Sequence, residues 1–127
     1  MTKIRCHCSS QKNFNECCEP IISGIEKATT ALELMRSRYS AYATYAAEYL
    51  LDTTHISERQ YHTKCEILKW ATSNQWLQLE IIKATENTVE FKAYFLDIEG
   101  QKQIHHEFST FILENGSWFY VGGNFFD

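Results

Sequence analysis

The run WLQLEIIKATENTVEFKAYFLDIEGQKQIHHEFSTFILENGSWFYVG, residues 76–122, divides into four stretches at three turn signals. Residues 76–85, 88–98, 102–113 and 117–122 are each rich in β-branched and aromatic side chains. Between them stand Glu86-Asn87, Glu99-Gly100 and Asn115-Gly116, the last a strong hairpin signal. Successive strands joined by turns this short form an antiparallel meander. Upstream the period changes. Thr30 followed by Glu33 resembles a capping box, and Ala31, Leu34, Met35, Tyr39 and Tyr42 then recur at helical spacing to about residue 43. Residues 46–51 extend this as a short second helix, and Ser57 with Gln60 offers a further cap ahead of a helical stretch to about residue 72. Helices first and strands after predict an α+β fold, with helices packed on a curved antiparallel sheet.

The amino-terminal end carries different chemistry. Four of the five cysteines fall within thirteen residues, as Cys6-His7-Cys8 and, after eight intervening residues, Cys17-Cys18. Zinc takes four soft ligands tetrahedrally, and two close pairs on a loop and the turn after it can converge on one point. A helical turn over residues 14–18 would splay the adjacent pair. His7 could substitute as a ligand, but four thiolates already complete the shell, so Cys6, Cys8, Cys17 and Cys18 are the expected ligands. The alternative is disulfide pairing or plain buried thiols. It depends on compartment: the start Met-Thr-Lys-Ile-Arg-Cys has no apolar leader, and no apolar run approaches the roughly 18 residues of a membrane span. A cytoplasmic protein with no membrane partner is expected, and in a reducing cytosol clustered cysteines more often hold metal. A closed shell leaves no position for water, so the zinc would be structural, holding the amino-terminal segment rather than the main core.

These residues carry a family resemblance. Cys6-x-Cys8, Ser10, Lys12, Phe14 and Cys17-Cys18 resemble the SEC-C zinc motif, in which glycines stand where this chain has Ser9 and Gln11. Side chains with a Cβ resist positive φ, so an adjusted loop is expected there. Downstream, Leu34 to Tyr42, Tyr49-Leu50, Thr53, His55, Trp76-Leu77, His106 to Phe111 and Asn115 to Tyr120 resemble the YchJ-like proteins over nearly the whole chain. That resemblance implies a small zinc knuckle at residues 1–20 joined to an NTF2-like cone at residues 29–127. It also implies that the protein can pair with a second copy through its sheet. In the preprotein-translocation ATPase the SEC-C element is a zinc-dependent contact for a chaperone, which implies a protein partner here.

Composition narrows the function. A chain of 127 residues, 44% hydrophobic and 14% aromatic, can bury a single core. With 12 Lys plus Arg against 16 Asp plus Glu, the net charge of −4 opposes a phosphate backbone, so nucleic-acid binding is not expected. A cone encloses a cavity, and its candidate lining is Arg36, Arg38, Tyr39, Tyr42, His55, Trp76 and Glu107. By strand alternation Glu107 shares a face with Ser109, Phe111 and Leu113, the last two pointing at the core. A buried carboxylate needs a partner, and Arg36 or Arg38, two apart on one helix and so on different faces, is expected to pair with it. His55 could act as a base at the cavity mouth. Cys65 reads as a buried small side chain and His62 as solvent-facing. His105 and His106 point to opposite sides of their strand and cannot share a metal. No Ser/His/Asp order, phosphate-cradling loop or HExxH helix is visible, and no catalytic residue is assigned. Two readings of function follow: a structural zinc site supporting protein–protein interaction, or small-molecule binding or enzyme activity in the cavity.

Overall fold

The computed structural model describes residues 4–126. Residues 1–3 and 127, which fall within the expected bounds 1–20 and 29–127, lie outside it. A single 3₁₀ turn, Phe14–Glu16, leads into helix α1, Glu19–Ile22. Pro20 sits in the first turn of α1, where its missing N–H costs no helix bond, and Gly24 at φ 87 ends the segment. Helix α2, Ala31–Ala43, starts at the capping box: Glu33 N–H donates to Thr30 Oγ1 at 3.0 Å, and Glu33 Oε1 accepts from Thr29 N–H at 2.7 Å. Helix α3 is Ala47–Asp52 and α4 is Lys64–Ser73.

The start of α4 differs from the sequence expectation. The Ser57 hydroxyl pairs with His55 Nδ1 at 2.8 Å instead of capping a helix, and residues Arg59–Tyr61 make one 3₁₀ turn. Thr63 is the true cap. It accepts from Glu66 N–H at 3.1 Å and donates to Glu66 Oε1 at 2.9 Å.

Strands β1, Gln75–Ala84, β2, Thr88–Leu96, β3, Lys102–Glu114, and β4, Ser117–Phe126, form one antiparallel sheet in sequential order. The β3–β4 turn has Asn115 at φ 53 and Gly116 at φ 79, the left-handed pair a two-residue hairpin needs. Register shifts between Trp76 and Gln78, between Ile81 and Lys83, and between Thr110 and Phe111 add local twist, which curls the sheet around the helices. Val89, Phe91, Ala93 and Phe95 of β2 alternate inward. Leu113, expected inside, is exposed because it lies next to the hairpin turn, beyond the buried part of β3.

The core joins α2 to the sheet through Leu34, Met35, Tyr39, Leu79, Val89, Phe91 and Phe111. Cys6, Cys8 and Cys18 belong to the same cluster. The amino-terminal knuckle is therefore one wall of the main core, not an appendage held apart from it. A second cluster, Ala41, Ala47, Leu50 and Ile67, ties α2, α3 and α4 together. No described helix is long and apolar enough to cross a membrane.

Candidate metal centre and cavity

The knuckle is a small hairpin. Cys6 N–H donates to Lys12 O at 2.7 Å, Phe14 N–H to Ile4 O at 2.8 Å, and Ser9 N–H to Cys6 O at 3.3 Å. These bonds fold Cys6 and Cys8 over the 3₁₀ turn that delivers Cys17, while Cys18 caps α1. Ser9 and Gln11 keep left-handed backbones, φ 66 and 74, so the loop is not adjusted to avoid them. Hydrogen bonds offset that strain: Ser9 Oγ accepts from Leu79 N–H at 3.1 Å, and Gln11 O accepts from the Arg5 guanidinium.

All four sulfurs lie within 4.8 Å of one another, with Cys8 to Cys17 at 3.7 Å and Cys17 to Cys18 at 3.9 Å. Zinc at its usual distance from four thiolates spaces them about 3.8 Å apart in a tetrahedron, so the cluster fits that ion. The separations are far from the about 2 Å of a disulfide. Hydrogen bonds from Cys18 and Cys8 pull the Cys6 thiol well below its ordinary range, and the same contact with Cys6 pushes Cys18 up. Four crowded thiolates need a divalent cation to ionise together. Hydroxyls surround the set, with Ser40 Oγ 3.5 Å from Cys6 Sγ and Ser10 Oγ 3.2 Å from Cys17 Sγ. His7 is not part of the cluster and packs edge-on against Phe14.

Arg36 lies outside the cavity. Its Nη1 donates to Cys8 O at 2.8 Å, which places its charge beside the sulfur cluster. The cause is helical geometry: two residues along α2 is more than half a turn, so Arg36 meets the knuckle while Arg38 turns inward. His55 also lies outside. Its backbone N–H donates to Tyr120 O, its Nε2 contacts Glu114 Oε2 at 2.9 Å, and its ring packs on Phe119, so it clips the loop after α3 to the β3–β4 hairpin.

Arg38, Tyr39, Tyr42, Trp76 and Glu107 do line one cavity of about 240 Å³, between α2, α4 and the sheet. Glu107 is buried, and its partners are not arginines. Oε2 accepts from Ser109 Oγ at 2.6 Å and Tyr120 OH at 2.7 Å, and Oε1 contacts His105 Nε2 at 2.7 Å. Burial alone would raise the Glu107 pKa, but the bonds from His105, Ser109 and Tyr120 outweigh it and hold the carboxyl below its usual range. Burial first, and then the Glu107 charge, push the Tyr120 phenol far up, so it stays a donor. Arg38 Nη1 donates to Leu50 O at 2.9 Å, Thr53 Oγ1 at 2.6 Å and Thr54 Oγ1 at 3.4 Å, closing the end of α3, and its guanidinium stacks 4.6 Å from the Tyr120 ring centroid.

Sequence reasoning did not assign Trp70, His105, Ser109 and Tyr120 to the cavity, all of which line it. The alternation that placed Glu107 inward was a signal for Ser109 and His105. Nothing local marked Tyr120, which arrives through β3–β4 pairing. His106 faces the other side of the sheet and pairs with Glu90 at 2.8 Å. His62 is exposed and stands at the cavity rim. Cys65 is exposed on α4 and not buried.

A family model described as the YchJ middle NTF2-like domain matches residues 30–123. A UPF0225 protein of Geobacter sulfurreducens is 40% identical over 130 residues, covering 97% of this chain and 80% of that protein. A UPF0225 protein of Photorhabdus laumondii is 38% identical over 137 residues, covering 97% and 81%. Among solved structures, a SEC-C motif containing protein from Rhodopseudomonas palustris superimposes with a TM-score of 0.88 at 32% identity, covering 98% of this chain and all of that one. Another, from Psychrobacter arcticus, gives 0.79 at 30% identity, covering 100% and 84%. With the domain model matched over most of the chain and relatives of 38–40% identity aligned over 97% of it, the chain belongs to the YchJ-like, UPF0225 family of SEC-C motif proteins.

Proposed function

We propose that this protein binds a small organic molecule in the cavity of its NTF2-like domain, and that zinc on Cys6, Cys8, Cys17 and Cys18 is a structural staple of the same core. The observation that carries the reading is a polar cluster set deep in an aromatic pocket: Glu107, Ser109 and Tyr120 beside Tyr42, Trp70 and Trp76. A concave, mostly apolar site with a few convergent polar groups is the usual form of a ligand pocket. The metal would be bound in a reducing compartment, where thiolates persist, and the cytoplasm satisfies that. Elemental analysis should give one zinc per chain, and a panel of neutral, cationic and anionic ring compounds should contain members that raise the melting temperature of the zinc-loaded protein. A panel without any such member contradicts the cavity reading.

A second reading, a knuckle that supports contact with a protein partner or a second copy, is favoured by the exposure of Ile4 and Ile25 on the amino-terminal segment. Native mass, compared between the unmodified chain and Ile25→Ser, tests self-association. A partner that binds the zinc-loaded chain and not this variant would support the reading, and one that binds both equally would oppose it.

A further inference from the structure

Arg38 is only 6% exposed, yet no carboxylate pairs with it among the described residues. Its three acceptors are a carbonyl and two hydroxyls, all neutral, and all are taken by Nη1. Nε and Nη2 make no hydrogen bond among the described residues. They are not sealed in protein either, because among the described residues the one buried side-chain polar atom left without a partner is the Tyr39 hydroxyl. Arg38 lines the cavity, so the edge left without a protein partner is the one available to a ligand there. A buried cation met only by neutral oxygens retains unused capacity for an anion. Glu107 offers no matching opportunity to a cation, because its oxygens already hold three donors.

The free edge has a defined shape. Nε–H and Nη2–H point in parallel and fit the two oxygens of a carboxylate as a fork. Apart from the Glu107 cluster, whose oxygens are already held by their own donors, much of the wall is aromatic, with Trp70 and Trp76 edge-on at 6.0 Å and Tyr42 tilted 5.6 Å from Trp76. Such faces accept a flat ring. The volume of about 240 Å³ lies below the about 300–1,000 Å³ of pockets for drug-sized molecules, so the ligand is small.

We propose that the cavity is a site for a small aromatic carboxylate, the carboxylate held by the Nε–Nη2 edge of Arg38 and the ring held among Tyr42, Trp70 and Trp76. The assignment rests on the cavity-binding reading and adds its charge and shape. Sodium benzoate, benzamide and benzylamine share a ring and differ in charge, so they serve as probes. Titrated into ¹⁵N-labelled, zinc-loaded full chain, benzoate should shift the Arg38 Nε–H and the indole N–H signals of Trp70 and Trp76. It should half-saturate at a concentration at least about ten-fold lower than either neutral or cationic probe, since charge-assisted bonds exceed neutral ones by that margin.

Benzamide or benzylamine binding in the cavity as tightly as benzoate would overturn the anion assignment while leaving the cavity reading intact. Benzoate shifts confined to signals outside the cavity would overturn it equally. Silence from all three probes overturns it too, and only silence across the wider thermal panel removes the cavity reading as well. Arg38→Lys keeps the charge and loses the fork, and should weaken benzoate about ten-fold. Should that variant fail to fold, the selectivity of the unmodified chain decides alone.

Discussion

Both oxygens of Glu107 end on hydroxyl and imidazole donors, and no guanidinium reaches them. Because those bonds lower its folded pKa beneath the ordinary 4.5, the group stabilises the fold fully above about that pH, and the contribution is lost as pH falls through the folded value. Glu107→Gln should therefore cost about 1–3 kcal/mol at pH 7. The gap to the unmodified protein should narrow below pH 4.5, read from urea midpoints at both pH values; a pH-independent gap would mean that the carboxylate is not the group at work. Gly123, opposite Ser109 across β3–β4, leaves no room for a Cβ, which would stand 2.9 Å from Glu107 Cγ. A free carboxylate arm would swing away, but this one is tied at three points. Gly123→Ala should cost about 1–3 kcal/mol in the same measurement. Tyr39 presents the reverse case. Its hydroxyl is buried without a partner, a condition that costs about 1–3 kcal/mol. Tyr39→Phe should be neutral or stabilising, and a clear loss of stability would show that the hydroxyl has a partner in solution.

Element boundaries were legible where the signal is local. The Asn115-Gly116 turn and the Thr30 cap each depend on side chains within a few residues, and both appear as read. The four-cysteine spacing was legible for the same reason. Helix α4 was misplaced because two cap-like patterns lie six residues apart, Ser57 with Gln60 and Thr63 with Glu66, and only tertiary structure chooses between them. His55, fixed by β4, claims the Ser57 hydroxyl, while Arg59 donates to Thr54 O and Asp52 O and holds the chain out of helix. Thr63→Ala should accordingly cost about 1 kcal/mol by urea unfolding, and Gln60→Ala almost nothing. Equal costs would restore the earlier start. Of the partners of Glu107, Tyr120 was illegible because it arrives only through a register that slips at Thr110/Phe111. That one helix arginine turns inward could be read from spacing. Which one does so depends on where the knuckle docks, since Cys8 O claims Arg36.

At the scale of the whole molecule the cysteine knuckle and the domain share one core. Cys6, Cys8 and Cys18 are nearly inaccessible and pack with Leu34, Tyr39, Leu79 and Phe111, and the Ser9 hydroxyl receives a β1 amide. If the four cysteines hold zinc as proposed, removing it would leave mutually repelling thiolates, or thiols short of hydrogen-bond partners, inside that core. Zinc contributes about 10–16 kcal/mol to folding in isolated finger peptides, and a domain of this size is stable by only about 5–15 kcal/mol. Even a fraction of the zinc contribution is thus comparable with the whole margin. Chelation, or Cys8→Ser, should lower the melting temperature of the entire chain in one transition and raise amide exchange at Leu79 and in β2 together with the knuckle. A sheet that melts unchanged while only the first twenty or so residues lose protection would instead mean that the knuckle is separable. In that case the cavity would keep its shape without metal, and benzoate would bind the zinc-free chain as it binds the loaded one; with a shared core, binding falls as zinc is withdrawn.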